Sequence, residues 1–156
     1  MKNIFPDFVP SSKVWIYLFD KKLNAAELSL ANAKLSAYMN EWHAHHQKVK
    51  GTFTIIDNCI LILAADETNT MISGCSIDST MRVIKEISSE LNIDLFNRMQ
   101  IAALLNNEFE IIKTNEIAQK ITDSSTVIFN TTATTLQQLN DKPTIAIGDS
   151  WAKNFM

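Results

Sequence analysis

The residues best suited to chemistry lie around Cys75. It stands between Gly74 and Ser76, two residues before Asp78, and the apolar spacing beyond predicts a helix from about Ser76 or Asp78 to Leu91. Free N–H groups and the dipole at a helix N-terminus favour negative charge. A thiol placed there would ionise more readily than an ordinary cysteine, which makes Cys75 a candidate nucleophile.

A nucleophilic Cys75 would need a base and an acid from other parts of the chain. His45 is the candidate base, and Asp78 or Asp66 is the candidate acid that would orient it. Such a set of catalytic residues would suit acyl or thiol transfer. It requires segments that are distant in sequence to meet in the fold.

A structural interpretation accounts for the same residues without catalysis. Gly74 would make a turn, and Ser76 or Asp78 would cap the helix. Cys75 would be a small side chain packed beneath the loop, because free cysteine is usually buried. Both interpretations remain open at this stage.

The same region could also bind an anion. Gly74 and Ser76 would offer backbone N–H groups, while Arg82 on the helix and Arg98 beyond it would supply positive charge. The alternative is an ordinary solvated or salt-bridged face. We therefore expect a small anionic ligand or a protein partner along this helix.

Three histidines, His43, His45 and His46, are predicted to lie at the end of the first helix, where they could share a metal ion. A zinc site needs further ligands, and neither an HExxH motif nor a pair of closely spaced cysteines supplies them. Imidazoles near a helix C-terminus are also favourable against its dipole alone. We expect no metal and no cofactor.

Length and composition argue against several classes of function. The 156 residues carry a net charge of −3, which gives no broad positive field for nucleic acid. Three scattered glycines rule out a GxxxxGK[ST] phosphate loop and a GxGxxG dinucleotide turn. The longest apolar run, residues 59–65, is far shorter than the roughly 20 residues that cross a bilayer. With two cysteines, no CxxC motif and no evident export signal, we expect one soluble cytoplasmic domain over residues 1–156, without nucleic acid or membrane insertion.

The hydrophobic pattern predicts a series of strands and helices. Strands are expected at residues 14–19, 52–56, 59–65, 99–105, 108–113, 127–130 and 144–147, and helices at 24–42, from about 76 to 91, at 115–121 and from Thr134 or Thr135 onward. Asp57-Asn58 and Asn106-Asn107 tolerate the positive φ of tight turns, so each pair predicts a hairpin. Trp151 follows the last strand and could line a cleft.

The order β-α-β-β-α-β over the first two thirds of the chain predicts an α+β fold. In such a fold the helices pack on one face of an antiparallel sheet, and we expect a ferredoxin-like topology there. The first helix has the clearest start, because Asn24 and Glu27 have the spacing of a capping box.

Five segments resemble a small family of uncharacterised bacterial proteins that are often labelled "ABC transporter ATPase". They are residues 42–45 (WHAH), 60–67 (ILILAADE), 73–78 (SGCSID), 94–98 (DLFNR) and 149–151 (DSW). The resemblance covers nearly the whole chain and implies a shared fold and a shared site around His45, Asp66, Cys75 and Asp78. The family pattern has a glycine where this chain has His46, which argues against a tight turn there. A transporter ATPase needs a Walker A loop, so the label does not imply ATPase activity for this chain.

The sequence therefore favours a small cytoplasmic ligand- or protein-binding domain without intrinsic ATPase activity. The alternative is a small enzyme that uses Cys75 with His45 and an acid for acyl or thiol transfer. A metal-dependent site on the histidine cluster is a third, less favoured hypothesis.

Overall fold

The structure is a computed structural model that describes residues 3–44, 46–72 and 74–156, without the side chain of Cys75. The described chain forms β1 (Lys13–Leu18), α1 (Ala25–Glu41), β2 (His43–Ala44), β3 (Gln47–Lys48), β4 (Lys50–Ile56), β5 (Ile60–Asp66), α2 (Gly74–Leu91), β6 (Gln100–Leu105), β7 (Glu108–Lys113), α3 (Thr114–Lys120), β8 (Val127–Phe129), α4 (Leu136–Asp141) and β9 (Thr144–Ala146), followed by two 3₁₀ segments, Ile147–Asp149 and Trp151–Phe155. None of the described helices is long and apolar enough to cross a bilayer.

The first sheet has three antiparallel strands in the order β1-β5-β4. Its central strand, β5, is buried along its whole length, as its unbroken apolar run requires. The turn between β4 and β5 has Asp57 and Asn58 at φ 49° and 58°, and the Cys59 N–H donates back to the Ile56 carbonyl at 3.0 Å. The predicted hairpin is confirmed.

Helices α1 and α2 cover one face of this sheet. Asn24 and Glu27 form the predicted capping box, in which each side chain accepts from the other residue's backbone N–H. The cluster beneath the helices joins Leu35 of α1 and Ile84 of α2 to Leu63 of β5. Odd-numbered residues of β1 and β5 face the helices, and even-numbered residues face the other way.

The second sheet has four antiparallel strands in the order β7-β6-β8-β9. Its hairpin turns at Asn106 and Asn107, with φ 51° and 68°, as predicted. One face packs on the uncovered side of the first sheet: Phe109 and Phe129 share a buried cluster with Ile60 of β5. The other face packs on α3 and the C-terminal segment. The result is four layers: helices, sheet, sheet, and helices.

The predicted α+β class is confirmed, whereas the ferredoxin-like topology is not. Apart from the short β2–β3 hairpin, the elements from β1 to α2 follow the expected order, because β1 and β4 are neighbours of β5 with α1 crossing between them. The strand after α2 departs from that topology, since β6 joins the second sheet instead of pairing with β1. Consequently β1 is an edge strand.

Three local expectations need correction. Helix α2 begins at Gly74, so Gly74 is helical, and Ser76 and Asp78 lie inside the helix and not at its cap. Helix α1 ends at Glu41, before the histidines. The turn between β2 and β3 does form: His46 adopts φ 65°, the left-handed conformation that glycine would favour.

Gly51 and Gly74 predict different effects of substitution by alanine. A Cβ on Gly51 would lie 2.6 Å from Cε3 of the buried Trp42, whereas at Gly74 no described atom lies within 4 Å. We expect Gly51→Ala to lower the free energy of unfolding by about 1–3 kcal/mol. Gly74→Ala should change it by less than about 0.5 kcal/mol, because Gly74 is the first residue of α2 and an added Cβ would meet no described atom. Urea unfolding of both variants measures this, and a Gly51→Ala protein as stable as wild type would contradict the packing.

Candidate functional site

The structure describes two of the four candidate catalytic residues, Asp66 and Asp78, in full. His45 lies outside the described residues, as does the side chain of Cys75, whose backbone is the second residue of α2. Asp66 is the last residue of β5 and is buried, whereas Asp78 is exposed on α2. The proposed meeting of Cys75, His45 and an acid therefore stays a prediction.

Asp66 organises the loop that follows β5. Its Oδ1 accepts from the Thr68 backbone N–H at 2.9 Å and from the Thr68 hydroxyl at 2.5 Å. Its Oδ2 lies 3.7 Å from Lys50 Nζ. These contacts lower the pKa of Asp66, with the hydroxyl and N–H of Thr68 as the main causes. The carboxylate of Asp66 therefore holds the turn after β5, and its described contacts are with Thr68 and Lys50.

The start of α2 packs against the end of α1. The Ser76 carbonyl accepts from Trp42 Nε1 at 3.3 Å and from the Thr80 hydroxyl at 3.0 Å. The Tyr38 hydroxyl lies 2.8 Å from the hydroxyls of both Ser79 and Thr80. Polar atoms at this point of α2 thus join two helices.

The histidines that the structure describes give no metal cluster. His43 is exposed, with its Nδ1 beside the Glu41 carbonyl, and His46 is exposed in the turn. Among the described residues, no group of three His, Cys, Asp or Glu side chains comes close enough to hold an ion. The structure therefore adds no support to a metal site.

A groove of about 480 Å³ lies along the open edge of β1. Its volume is in the range of ligand sites, about 300–1,000 Å³. One wall is β1 itself; the others are the loop before β6, the loop after β8 and the indole of Trp151. The lining residues are 14–18, 95–98, Gln100, 131–134 and Trp151. We call it the β1 groove.

Backbone groups of β1 point into this groove. The register with β5 continues to Phe19, whose N–H donates to the Cys59 carbonyl at 2.9 Å, so odd-numbered residues of β1 bond to β5. Even-numbered residues therefore direct their N–H and C=O groups away from β5. Val14 shows this, because its N–H donates to the Thr134 carbonyl at 3.0 Å on the opposite side.

The chain after β8 pairs with only the first part of β1. A short antiparallel bridge joins Lys13 to Thr135. The Thr134 N–H would complete the pair with Val14, but it donates to Gln138 Oε1 at 2.9 Å. Within the described structure, the Val14 C=O, both backbone groups of Ile16 and the Leu18 N–H have no hydrogen-bond partner.

The other end of the groove is closed by Gln100. Its Nε2 donates to the Leu18 carbonyl at 3.2 Å, and the side chain is buried. Its Oε1 is buried without a described partner. The unpaired edge of β1 thus runs between two closures, Val14–Thr134 and Leu18–Gln100, over about 13 Å at the rise of a β-strand.

Side-chain hydrogen bonds hold both flanking loops in place. Asn130 Oδ1 accepts from the N–H and hydroxyl of Thr132, at 3.1 and 2.7 Å. In the other loop Asp94 Oδ1 accepts from the Phe96 N–H and Asn97 Oδ1 from the Met99 N–H, at 2.8 and 2.9 Å. The groove is therefore formed before any ligand arrives.

Arg98 is the only charged residue among those that line the groove. It is exposed and forms no ion pair within the described part of the chain. It acts on Tyr17, since burial raises the pKa of that phenol and the Arg98 charge opposes the rise. Arg98 stands between Phe96, whose ring packs against that of Tyr17, and Gln100, which bonds to the Leu18 carbonyl, so it belongs to the end of the groove where β1 ends.

Some residues of this groove could be predicted and others could not. Arg98 was a candidate ligand-binding residue, and Trp151 does line a cleft. The other candidates, Gly74, Ser76 and Arg82, belong to α2 and do not line the β1 groove. The backbone edge of β1 has no signature in the sequence, because its apolar run predicts a strand without saying which neighbours it has.

Comparison of the chain with protein-family models, with curated proteins and with solved structures gives no match. The geometry of the groove is therefore the main guide to what this protein binds.

The open edge predicts uneven hydrogen exchange along one strand. The Tyr17 N–H is bonded to β5, whereas the Ile16 N–H faces the groove without a partner. We expect the Ile16 amide to exchange at least about tenfold faster than that of Tyr17, because its exchange needs no opening of the ladder. Residue-resolved exchange by NMR measures this. Equal protection of the two amides would mean that the edge is covered.

Asp66 predicts a pH-dependent contribution to stability. Its folded pKa is lowered, so its contribution is complete above the unfolded value of about 3.9 and is lost as pH falls through the folded value. We expect Asp66→Asn to destabilise the protein by about 1 kcal/mol near neutral pH, and the difference from wild type to shrink below about pH 4. Urea unfolding at several pH values measures it. Asp78→Asn, at an exposed position, is the control, and an equal loss in both variants would contradict this role.

Proposed function

We propose that this protein is a binding domain that takes an extended segment of a partner protein into the β1 groove. The observation that supports this most directly is the row of unpaired backbone groups on Val14, Ile16 and Leu18. Their spacing is that of a β-ladder, and the matching set of donors and acceptors is another extended backbone. The binding mode is strand addition to the first sheet.

The walls of the groove favour a single narrow segment over a second copy of the sheet. One end of the open edge is closed by Thr134 and the other by Gln100, and Trp151 also lines the groove. A flat sheet edge from another molecule could not reach β1 past these residues. A flexible terminus or loop of a partner, one chain thick, fits this shape.

The proposal places the protein in the cytoplasm and assigns it no ATPase activity. Cys59 is a free, fully buried thiol, and a free thiol is in keeping with a reducing compartment. The glycines are Gly51, Gly74 and Gly148, so no phosphate loop is present in the sequence. An edge-binding domain needs neither nucleotide nor metal.

The test combines peptide selection with a proline substitution on the strand edge. Short random peptides, displayed either with free carboxyl ends or as internal segments, are selected on the protein, and the best are synthesised. Ile16→Pro removes an N–H that faces the groove and leaves the ladder to β5 intact. We expect it to weaken binding about tenfold or more, measured by calorimetry.

The matched control is Ile55→Pro on β4, the opposite edge of the same sheet. The register turns the N–H of Ile55 away from β5, just as it does for Ile16. Binding should survive this change. In wild type, a bound peptide should protect the amides of Ile16 and Leu18 from exchange. Peptides that bind Ile16→Pro as tightly as wild type, or that leave both amides unprotected, would contradict strand addition, as would failure of both selections.

A further inference from the structure

We infer that the β1 groove binds the C-terminal end of its partner, with the terminal carboxylate held by Arg98 and by the Leu18 N–H. This inference rests on the proposed function and specifies which part of a chain the groove accepts. It is argued from the two closures of the groove, the direction of β1 and the position of the one charged group in the lining.

The closures favour a chain end over a continuous segment. An internal segment that pairs with β1 must leave the groove at both ends, where the Val14–Thr134 and Leu18–Gln100 contacts block the way along the edge. It would have to bend sharply twice within about 13 Å. A chain that stops inside the groove has to bend only where it enters.

The position of Arg98 sets the direction in which the peptide runs along β1. Arg98 lines the groove two residues before Gln100, which bonds to the Leu18 carbonyl. A terminal carboxylate should therefore lie at the Leu18 end of the open edge. The peptide then runs in the same direction as β1. In a parallel ladder, one peptide residue bonds to the Val14 C=O and the Ile16 N–H. The residue two positions later donates to the Ile16 C=O and accepts from the Leu18 N–H.

All four unpaired groups of β1 are satisfied by this arrangement. The accepting oxygen on the last peptide residue belongs to its carboxylate, and the second carboxylate oxygen is available to the guanidinium of Arg98. Arginine is well suited to this role because its planar donors match a carboxylate. Arg98 forms no ion pair elsewhere in the described chain, so binding would not break an existing one.

The test compares three forms of one selected peptide: a free C-terminal carboxylate, a C-terminal amide, and an amide whose last residue is replaced by aspartate. Calorimetry with the full-length protein should show the free acid binding about tenfold or more tightly than the other two. Arg98→Gln should remove most of that preference, since an exposed side chain can be changed without unfolding the protein. Arg82→Gln, on α2 outside the groove, is the matched control and should keep it.

Each remaining outcome has one meaning. Equal binding of the aspartate amide and the free acid would overturn the chain-end inference in favour of a side-chain carboxylate. Equal binding of all three forms would overturn any role of the carboxylate while leaving strand addition intact. A preference that persists in Arg98→Gln would overturn the role of Arg98. If no peptide form binds, the proposed function itself is wrong.

Discussion

The burial of β5 on both faces is the constraint from which the rest of the structure follows. Residues 60–65 are fully buried, and each large apolar side chain among them gains about 1.5–3 kcal/mol from leaving water. That gain requires one layer on each side of the sheet. Helices α1 and α2 supply the first, and a second sheet supplies the other.

The second layer explains why β1 has a neighbouring strand, β5, on one side and none on the other. Strand β6 follows α2 and has to contribute to the sheet that covers the even-numbered side chains of β5, so it cannot also lie in the plane of β1. Within the described structure, the side chain of Gln100 supplies its hydrogen bond to that strand. After the turn in which Asn130 bonds to Thr132, the chain that follows β8 reaches β1 only at Thr134 and then runs on beside residues 10–13. An edge strand bounded by these two segments is the result.

Local features of the fold could be predicted from the sequence, and its division into two sheets could not. The Asn24–Glu27 capping box and the turns at Asp57 and Asn106 depend on residues close together in the chain, and each formed as expected. The choice of partners for β6 depends on packing between layers, which no spacing in the sequence encodes. The start of α2 at Gly74 could not be predicted either. Ser76 and Asp78 are good capping residues, and the sequence does not show that they lie inside the helix.

The residues of the β1 groove are likewise brought together by packing between layers. Arg98 and Trp151 are separated by more than fifty positions in the sequence, and each was notable only for its side-chain type. What brings them together is the stacking of the two sheets, which places the loop before β6 and the C-terminal segment around one strand edge. The part of that edge proposed to bind a partner is backbone, and backbone groups are the same in every sequence. Only the pairing pattern reveals them.

Magnitudes decide what such a groove can bind. Four backbone hydrogen bonds contribute a net of about 2–6 kcal/mol, and a charge-assisted bond to Arg98 about 1.5–3 kcal/mol. Association itself costs about 4–15 kcal/mol, so these polar contacts alone give weak binding at best. The surplus has to come from apolar contact with Phe96 and Trp151, which line the groove beside the strand. In the proposed binding mode, backbone pairing fixes the orientation of the bound segment, and Phe96 and Trp151 select which sequence is held there.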